Sequence, residues 1–172
     1  LGYLNYYGDE KEDTLKEKII ETVGVKYTSE DYIIDAGKQL DYIDKGESSF
    51  ELAKAKVKDM LLSGDNAFLD KARNLALSSN ILGISPNGWS FKAENIKYDK
   101  LKDEITSVTG VFVENKEKKL SVSGKEFKTD SKMSYIDLKK DVTLENEKIK
   151  VIGDIGHYVD DMKVAVLYDN VH

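Results

Sequence analysis

The chain has 172 residues, a mass of 19.4 kDa and a net charge of −6 at pH 7, which suits one domain with a sizeable core. Its lysines are dispersed rather than clustered, which argues against nucleic acid as a partner. The absence of cysteine excludes disulfides, thiolate zinc sites and a cysteine nucleophile. No apolar run of about 18 residues, the length that spans a bilayer, occurs in the sequence.

The N-terminal residues are dominated by charge and tyrosine. Residues 8–18 are mostly charged, and we expect a flexible segment over residues 1–20. The chain does not begin with Met, so we expect that an upstream segment was removed, and a membrane anchor would be one such segment. Tyr3, Tyr6 and Tyr7 suit either the watery edge of an anchor or an ordinary loose terminus.

A pattern of roughly 30 residues recurs about five times along the chain. Each copy opens with an apolar residue, a small residue two places later and a Tyr or Leu about five places on, usually followed by an acidic turn. The copies cover residues 34–44, 62–70, 91–99, 122–130 and 151–160. Such a period indicates one structural unit stacked on itself. The acidic positions, 26 to 31 residues apart, are Asp44, Asp70, Asp99, Asp130 and Asp160.

Alternating residues predict that each unit is a pair of strands. Trp89, Phe91 and Ala93 alternate with Ser90 and Lys92, and a period of two marks a strand with one buried face. Short polar joints between such runs predict hairpins in a meander. Each copy also closes with an Asn, Asp or Gly before a β-branched residue, which favours a bend or bulge.

The stretch from residue 47 to residue 77 gives a conflicting signal. Residues 50–56 and 67–75 are rich in Ala, Leu and Lys, and on helix propensity alone they favour two helices. Their apolar residues nevertheless fall in register with the copies that begin at residues 91 and 151. Because strand preference depends mostly on packing context, we predict strands here.

One pattern is carried twice along the chain: an apolar residue, a small residue, Tyr or Tyr-Asp, an apolar alternation and a closing step like Gly-Asn-Val. The residues that carry it are Phe91, Ala93, Tyr98, Asp99, Ile105, Gly110 and Val111, and then Val151, Gly153, Tyr158, Val164, Asn170 and Val171. In this pattern the chain resembles the OstA-like proteins of lipopolysaccharide transport, from about residue 21 to residue 172. Residues 21–36 are most similar to the inner-membrane-anchored periplasmic component.

The resemblance implies an all-β fold over residues 21–172: an OstA-like β-jellyroll of two antiparallel twisted sheets, built from about five strand-turn-strand repeats. It implies a periplasmic protein tethered to the inner membrane by an anchor before Leu1. The implied ligand is lipopolysaccharide, whose lipid A acyl chains lie in an apolar groove between the sheets. The implied partners are other lipopolysaccharide-transport proteins, joined end to end through edge strands. No cofactor is implied.

Titratable residues do not assemble into a catalytic or metal-binding motif. The two histidines, His157 and His172, form no motif together, and we interpret His157 as a surface or partly packed residue. Acidic pairs such as Asp160 with Asp161 have the chemistry of a calcium site or a glycosidase pair. They fall in turns, however, where Asp is favoured for local hydrogen bonding. We therefore predict a protein that is not an enzyme, with a sugar-processing enzyme as a minor alternative.

Apolar residues on successive strands are the candidate inward positions. They form either the core of a closed sandwich or, as the resemblance implies, the lining of an acyl-chain groove. Periodicity alone does not separate these two readings. The predicted lipid-binding residues are Ile34, Leu52, Leu62, Leu77, Trp89, Phe91, Phe127, Tyr135, Val151 and Val166.

The last apolar run, residues 164–168, is a candidate edge strand for partner binding. It carries no charge over five positions, and an unprotected strand of this kind would be an aggregation hazard. We expect it either to be shielded within the fold or to pair with another molecule, with Val164, Val166 and Tyr168 as the contact residues. The alternative function for the whole chain is a structural or adhesive β-repeat spacer with a closed core and no ligand.

Overall fold

A computed structural model of the protein describes residues 17–172, and it is all-β, with no helix among these residues. The predicted strands over residues 47–77 and the all-β fold are confirmed. Most of the predicted N-terminal segment lies outside the described residues. The strands are β1 (Ile19–Thr28), β2 (Tyr32–Tyr42), β3 (Glu47–Val57), β4 (Met60–Leu69), β5 (Leu75–Ile84), β6 (Trp89–Asp99), β7 (Glu104–Ser107), β8 (Val111–Asn115), β9 (Leu120–Gly124), β10 (Glu126–Thr129), β11 (Tyr135–Glu145), β12 (Lys150–Val159) and β13 (Val164–Tyr168).

The strands form one continuous antiparallel sheet in which chain neighbours pair as a meander. Both β7 and β8 pair with β6, so they act as two halves of one strand interrupted at residues 108–110. In the same way β9 and β10 both pair with β11 and are separated only by Lys125. The sheet begins at β1 and ends at β13, so the five predicted repeats are five hairpins within one ladder.

Each long strand from β2 to β12 loses its alternation of buried and exposed side chains once, near its middle. In β4 the buried series Met60, Leu62 and Gly64 resumes at Ala67 after a step of three residues. Longer steps occur in β5 and β11, where two successive residues have positive φ and the pairing register shifts. These slips lie side by side and make a line of irregularities across the sheet, which we call the fold line. Its positions are Gly64 and Asp65, Ser79 and Asn80, Glu94 and Asn95, residues 108–110, Gly124 and Lys125, Lys140 and Asp141, and Gly153 and Asp154.

The sheet bends over on itself at the fold line. A strand of ten residues extends roughly 33 Å when flat, which keeps its two ends far apart. Yet the hydroxyl group of Tyr32, at the start of β2, donates a hydrogen bond to the carbonyl oxygen of Arg73, 2.8 Å away. Arg73 lies in a turn at the other ends of the strands. Each long strand therefore contributes one half to each of two facing layers. We call the half next to residues 29–31, 57–60, 85–88, 115–119 and 145–149 the short-turn layer, and the half next to the acidic turns the acidic-turn layer.

The small residue of each repeat lies where the two layers converge. A Cβ atom on Gly64 would come within 3.3 Å of the Leu77 side chain, and one on Gly124 within 3.2 Å of Leu138. Such distances are tighter than ordinary van der Waals contact, so a larger side chain would force these neighbours to shift. The predicted small residue therefore has a packing role beside the fold line.

The helix-like composition of β3 is explained by which residues face the interior. Ala53 and Ala55 are buried, whereas Lys54 and Lys56 between them are exposed. The alternation of period two decides the structure here, because it gives a strand one apolar face whereas a helix of the same sequence would scatter these residues.

Candidate apolar interior and its seam

The space between the two layers holds one continuous cluster of apolar side chains. It runs from Tyr32 and Ile34 in β2 to Tyr158 in β12, and it is filled with large residues that are almost fully buried. Phe91 packs against Phe127 with ring centroids 5.2 Å apart, and Trp89 packs edge-on against Tyr158 at 5.0 Å. The interior is therefore apolar along most of the sheet.

Six of the predicted lining residues lie inside this cluster with at most 3% of their surface exposed. They are Ile34, Leu62, Leu77, Trp89, Phe91 and Phe127. Val151 is half-buried near the start of β12 and pairs with Leu144 on the interior side. The inward orientation predicted for Tyr135 is wrong, because Tyr135 pairs with Val159, one residue away from the buried pair of Ile136 and Tyr158, and so points to the outer side. The structure brings the other seven residues to the interior side, while their contact with lipid stays a prediction.

The inward orientation predicted for Leu52 and Val166 is wrong. Leu52 is 70% exposed because it lies at the bend of β3 with φ of 54°, which turns two successive side chains outward. Val166 is 45% exposed, and it pairs with His157, which is itself exposed on the outer face of β12. Since paired residues point to the same side of a sheet, the register fixes Val166 outward.

Several residues of the interior were missed by the sequence reading. The core also contains Phe50, Met60, Ile96, Ile105, Met133 and Ile136. The missing signal was the step of three or four residues at the fold line, which joins two runs of period two in each strand. Reading each strand as two alternating runs with this offset would have found all of these except Met133, which lies in a turn.

The open side of the folded sheet is closed by contacts between the short turns and the acidic turns, which we call the seam. Among the described residues, every hydrogen bond or ion pair across the seam uses at least one side chain. Lys100 contacts Asp31 at 3.2 Å, and Asn87 donates to the Met133 carbonyl oxygen at 3.2 Å. The seam thus differs from the rest of the sheet, which is joined by backbone hydrogen bonds.

Asp160 is the most connected residue of the seam. Its carboxylate accepts hydrogen bonds from the Trp89 indole nitrogen at 3.0 Å, from Lys118 at 3.0 Å and from Asn87 at 3.3 Å. Partial burial alone would raise the pKa of Asp160, but the hydrogen bonds from Trp89 and Lys118 outweigh it and hold that pKa below its usual value. Lys118 also donates to the Tyr158 hydroxyl at 2.9 Å, and this bond raises the pKa of Lys118.

A second carboxylate, Asp103, organises the other part of the seam. It accepts hydrogen bonds from the Tyr98 hydroxyl at 2.8 Å and from Ser131 at 3.1 Å, and it contacts Lys58 of a short turn at 3.5 Å. Burial would raise the pKa of Asp103, but these donors and the Lys58 charge lower it overall. Both seam carboxylates are therefore held in the charged form at neutral pH.

The two terminal strands each have one partner strand among the described residues. β13 pairs only with β12, and its predicted contact residues Val164, Val166 and Tyr168 are 44–47% exposed. β1 pairs only with β2, and its Ile20 and Val23 are 54% and 73% exposed. Each terminal strand therefore has one edge that is not paired within the described part of the chain.

Residues with metal-binding chemistry do not cluster in the part of the chain that the structure describes. No group of three His, Asp or Glu side chains there could hold a metal ion. His157 pairs with Asp137 on the outer face of the sheet, and His172 contacts the Asn170 carbonyl oxygen at 2.9 Å. Within residues 17–172, no helix is long and apolar enough to cross a bilayer.

Comparison with known proteins gives similarity to solved structures. No protein-family model matches the chain, and no curated protein matches it. Among solved structures it is similar to LptH from Pseudomonas aeruginosa, described as the LptA-homologous periplasmic component of the conserved lipopolysaccharide transport device. The two share 8% sequence identity over 89% of this chain and 83% of that chain, with a TM-score of 0.31. A similarity of this size does not establish a common function.

Proposed function

We propose that the protein is a non-enzymatic, periplasmic lipopolysaccharide-transport module of the OstA-like type. Its interior holds lipid A acyl chains, and its terminal strands dock partners of the same pathway. The observation that supports this proposal is the continuous apolar interior between two layers that are joined by backbone along only one side. The family assignment, the periplasmic location and an inner-membrane tether come from the resemblance in the repeat and belong to the proposal.

Lipid reaches the interior by parting of the seam. The interior side chains fill the space, so an acyl chain enters only if the layers separate. Parting the seam breaks side-chain contacts such as those of Asp103 and Asp160 and leaves the strand ladders intact. The fold line, with its irregular backbone and small residues, is then the hinge.

The magnitudes are compatible with such an opening. Burial of one methylene contributes about 0.8 kcal/mol, so a chain of a dozen methylenes contributes roughly 10 kcal/mol. A neutral hydrogen bond across the seam contributes about 1 kcal/mol net, and one to a charged group about 1.5–3 kcal/mol. One acyl chain therefore offsets the loss of several such contacts, provided that the displaced apolar side chains find new contacts with the lipid.

Partner docking uses the edges of β1 and β13 with which no described strand pairs. β13 carries no charge, and its side chains Val164, Val166 and Tyr168 are exposed, so a partner strand meets no repulsion there. A transport protein from the same pathway would add its own edge strand and continue the sheet end to end. Replacement of Val166 by Glu should weaken such pairing while leaving the interior unchanged.

Photo-crosslinking tests the proposal. A photoreactive residue at Phe91, Phe127 or Val151 should form adducts with lipopolysaccharide, since these positions lie inside or at the margin of the interior. The same residue at Leu52, which is 70% exposed, is the matched control and should form few. A folded protein that gives no adducts from the three inner positions, or gives as many from Leu52, would contradict the proposal.

A spacer with a closed core is the second candidate, because the interior is filled in this structure. Trp89, Ile34 and Val57 are fully buried, as in an ordinary sandwich core. A spacer should show no change in melting temperature when lipopolysaccharide is added. A transport module should be stabilised by the lipid, because ligand binding to the folded state raises its stability.

A further inference from the structure

The outer face of the short-turn layer combines exposed apolar residues with lysines. Ile33 pairs with Lys56, Lys56 with Leu61, and Leu61 with Ile84, so these four side chains lie in one row across β2 to β5. The neighbouring row contains Lys26, Lys54, Leu82 and Lys92. We call these residues the basic–apolar face: Lys26, Ile33, Lys54, Lys56, Leu61, Leu82, Ile84 and Lys92.

The basic–apolar face is open to solvent. Ile33, Leu61 and Ile84 are 38%, 53% and 45% exposed, and its four lysines are exposed as well. A surface depression of about 410 Å³ lies between Ile33, Lys54, Leu61 and Ile84. Contiguous exposed apolar surface of this kind marks an interaction site more often than scattered apolar residues do.

Charge on this face is unbalanced. Asp35 is the only acidic residue within the two rows from β1 to β6, against four lysines. None of the four lysines lies within 4.0 Å of a carboxylate of residues 17–172. The face is thus locally positive in a chain whose net charge is −6.

On the outer face of the acidic-turn layer, in contrast, lysines lie close to carboxylates. There Lys38 contacts both Glu21 and Glu51, at 3.6 and 3.8 Å, and Lys128 lies 4.0 Å from Glu104. The charge of these two lysines is therefore compensated by neighbouring carboxylates. The basic–apolar face, whose four lysines have no such partners, should attract anions more strongly.

We propose that the basic–apolar face docks on the surface of an anionic lipid bilayer. Apolar side chains that enter the headgroup region, together with lysines that meet anionic lipids, are the features of interfacial membrane binding. Lysine stems lie along apolar surface while their ammonium groups reach toward phosphates. A protein partner is less suited to this face, because lysine is depleted at protein–protein interfaces.

Docking through this face orients the molecule. The short-turn layer lies against the bilayer and the acidic-turn layer faces away from it, so the net negative charge stays on the distant side. At physiological salt, charges separated by more than about 8 Å are largely screened from each other. The distant carboxylates therefore do not cancel the attraction between the lysines of this face and anionic lipids. This inference does not depend on whether the interior binds lipid.

Vesicle co-sedimentation of the full chain tests the inference. The protein should bind vesicles of phosphatidylcholine mixed with phosphatidylglycerol, should bind phosphatidylcholine alone weakly, and should lose binding as salt is raised. A variant with Gln at Lys26, Lys54, Lys56 and Lys92 should bind at least about tenfold more weakly. A second variant, with Ser at Leu61 and Ile84, should also bind more weakly at low salt.

The matched control replaces four lysines of the acidic-turn layer and its margin by Gln, at Lys38, Lys97, Lys128 and Lys139. It removes the same charge and should bind anionic vesicles no more than about twofold more weakly than the wild type. Equal losses in both lysine variants would overturn the proposal, because binding would then follow net charge alone. Absence of binding by the wild-type protein would also overturn it. Circular dichroism establishes that each variant is folded.

Discussion

The indole nitrogen of Trp89 donates a hydrogen bond to the carboxylate of Asp160 over 3.0 Å. Trp89 begins β6, and Asp160 follows β12 at the other ends of the strands. The bond therefore joins two rows of turns that a flat sheet would hold roughly 30 Å apart. The same carboxylate holds Lys118, so one residue ties two short turns to an acidic turn. The contacts of Asp160 therefore hold the two layers together at this part of the seam.

Replacement of Asp160 by Ala should reduce the free energy of unfolding by about 1–3 kcal/mol. The substitution leaves the Trp89 indole nitrogen and the Lys118 ammonium group without their shared acceptor. Urea unfolding followed by tryptophan fluorescence measures the change, since Trp89 is the only tryptophan. Replacement of the exposed neighbour Asp161 by Ala is the control and should change stability by less than about 0.5 kcal/mol. Equal effects of the two substitutions would contradict the role given to Asp160.

Covalent closure of the seam should prevent loading of the interior. The chain has no cysteine, so cysteines at Asn87 and Asp160, whose side chains lie 3.3 Å apart, can be joined selectively by a short bis-maleimide linker. Linked protein should lose lipopolysaccharide crosslinking at Phe91, whereas the unlinked cysteine protein should retain it. A linker between Asp99 and Glu104, which face each other within one hairpin, is the control and should leave crosslinking unchanged. Full crosslinking in the linked seam variant would show that lipid enters elsewhere.

Replacement of Gly83 by Ala should destabilise the fold by about 1–3 kcal/mol. A Cβ atom at this position would overlap the Phe91 ring, so the ring must leave its site in the core. The double variant with Leu at Phe91 should be less sensitive to the added methyl group, which a double-mutant cycle measures. Replacement of Gly37 by Ala is the control, since its nearest contacts would be at 3.6 Å. A loss at Gly37 as large as that at Gly83 would contradict the packing argument.

Stability should fall as the pH rises above about 10. Burial raises the pKa of Tyr135 to about 12, and it raises the pKa values of Tyr32 and Tyr98 well above 10.0. A raised folded-state pKa favours the neutral phenol, so this contribution is complete below the unfolded pKa and is lost at higher pH, where unfolded tyrosines ionise. Urea midpoints between about pH 9 and pH 11 measure the loss.

The variant with Phe at both Tyr32 and Tyr98 separates this effect from lysine titration. It loses two hydrogen bonds and should be less stable at neutral pH, but its stability should depend less on pH above about 10. An unchanged pH dependence would mean that these two phenols do not carry the alkaline loss.

The hairpin repeat could be predicted because its signal is local. Phe91, Ala93 and Tyr98 mark an inward run, and Asp99 marks the turn, where its side chain accepts hydrogen bonds from the backbone nitrogens of Leu101 and Lys102. The strands over residues 47–77 followed from the same repeat even though their composition favours helix. Alternation over several residues outweighs intrinsic propensity when one face of the strand is buried.

The contacts of the seam could not be predicted from the chain. Asn87 and Asp160 are 73 residues apart, and nothing in either local sequence marks their contact. Leu52 shows the second limit, because its exposure depends on a positive φ value at the bend of β3. The sequence of an alternating apolar run does not indicate where a bend in the backbone turns an apolar side chain to the outer side of the sheet.

Among the described residues, β1 and β13 each pair with one strand, and the hairpins between them join by antiparallel pairing throughout. Because the fold line continues from one hairpin to the next, duplication of one unit of about 30 residues would add two strands. The sheet would become roughly 10 Å longer in the direction across its strands. The length of the sheet across its strands would therefore depend on the number of repeats. Gene duplication could change its span without redesigning its cross-section.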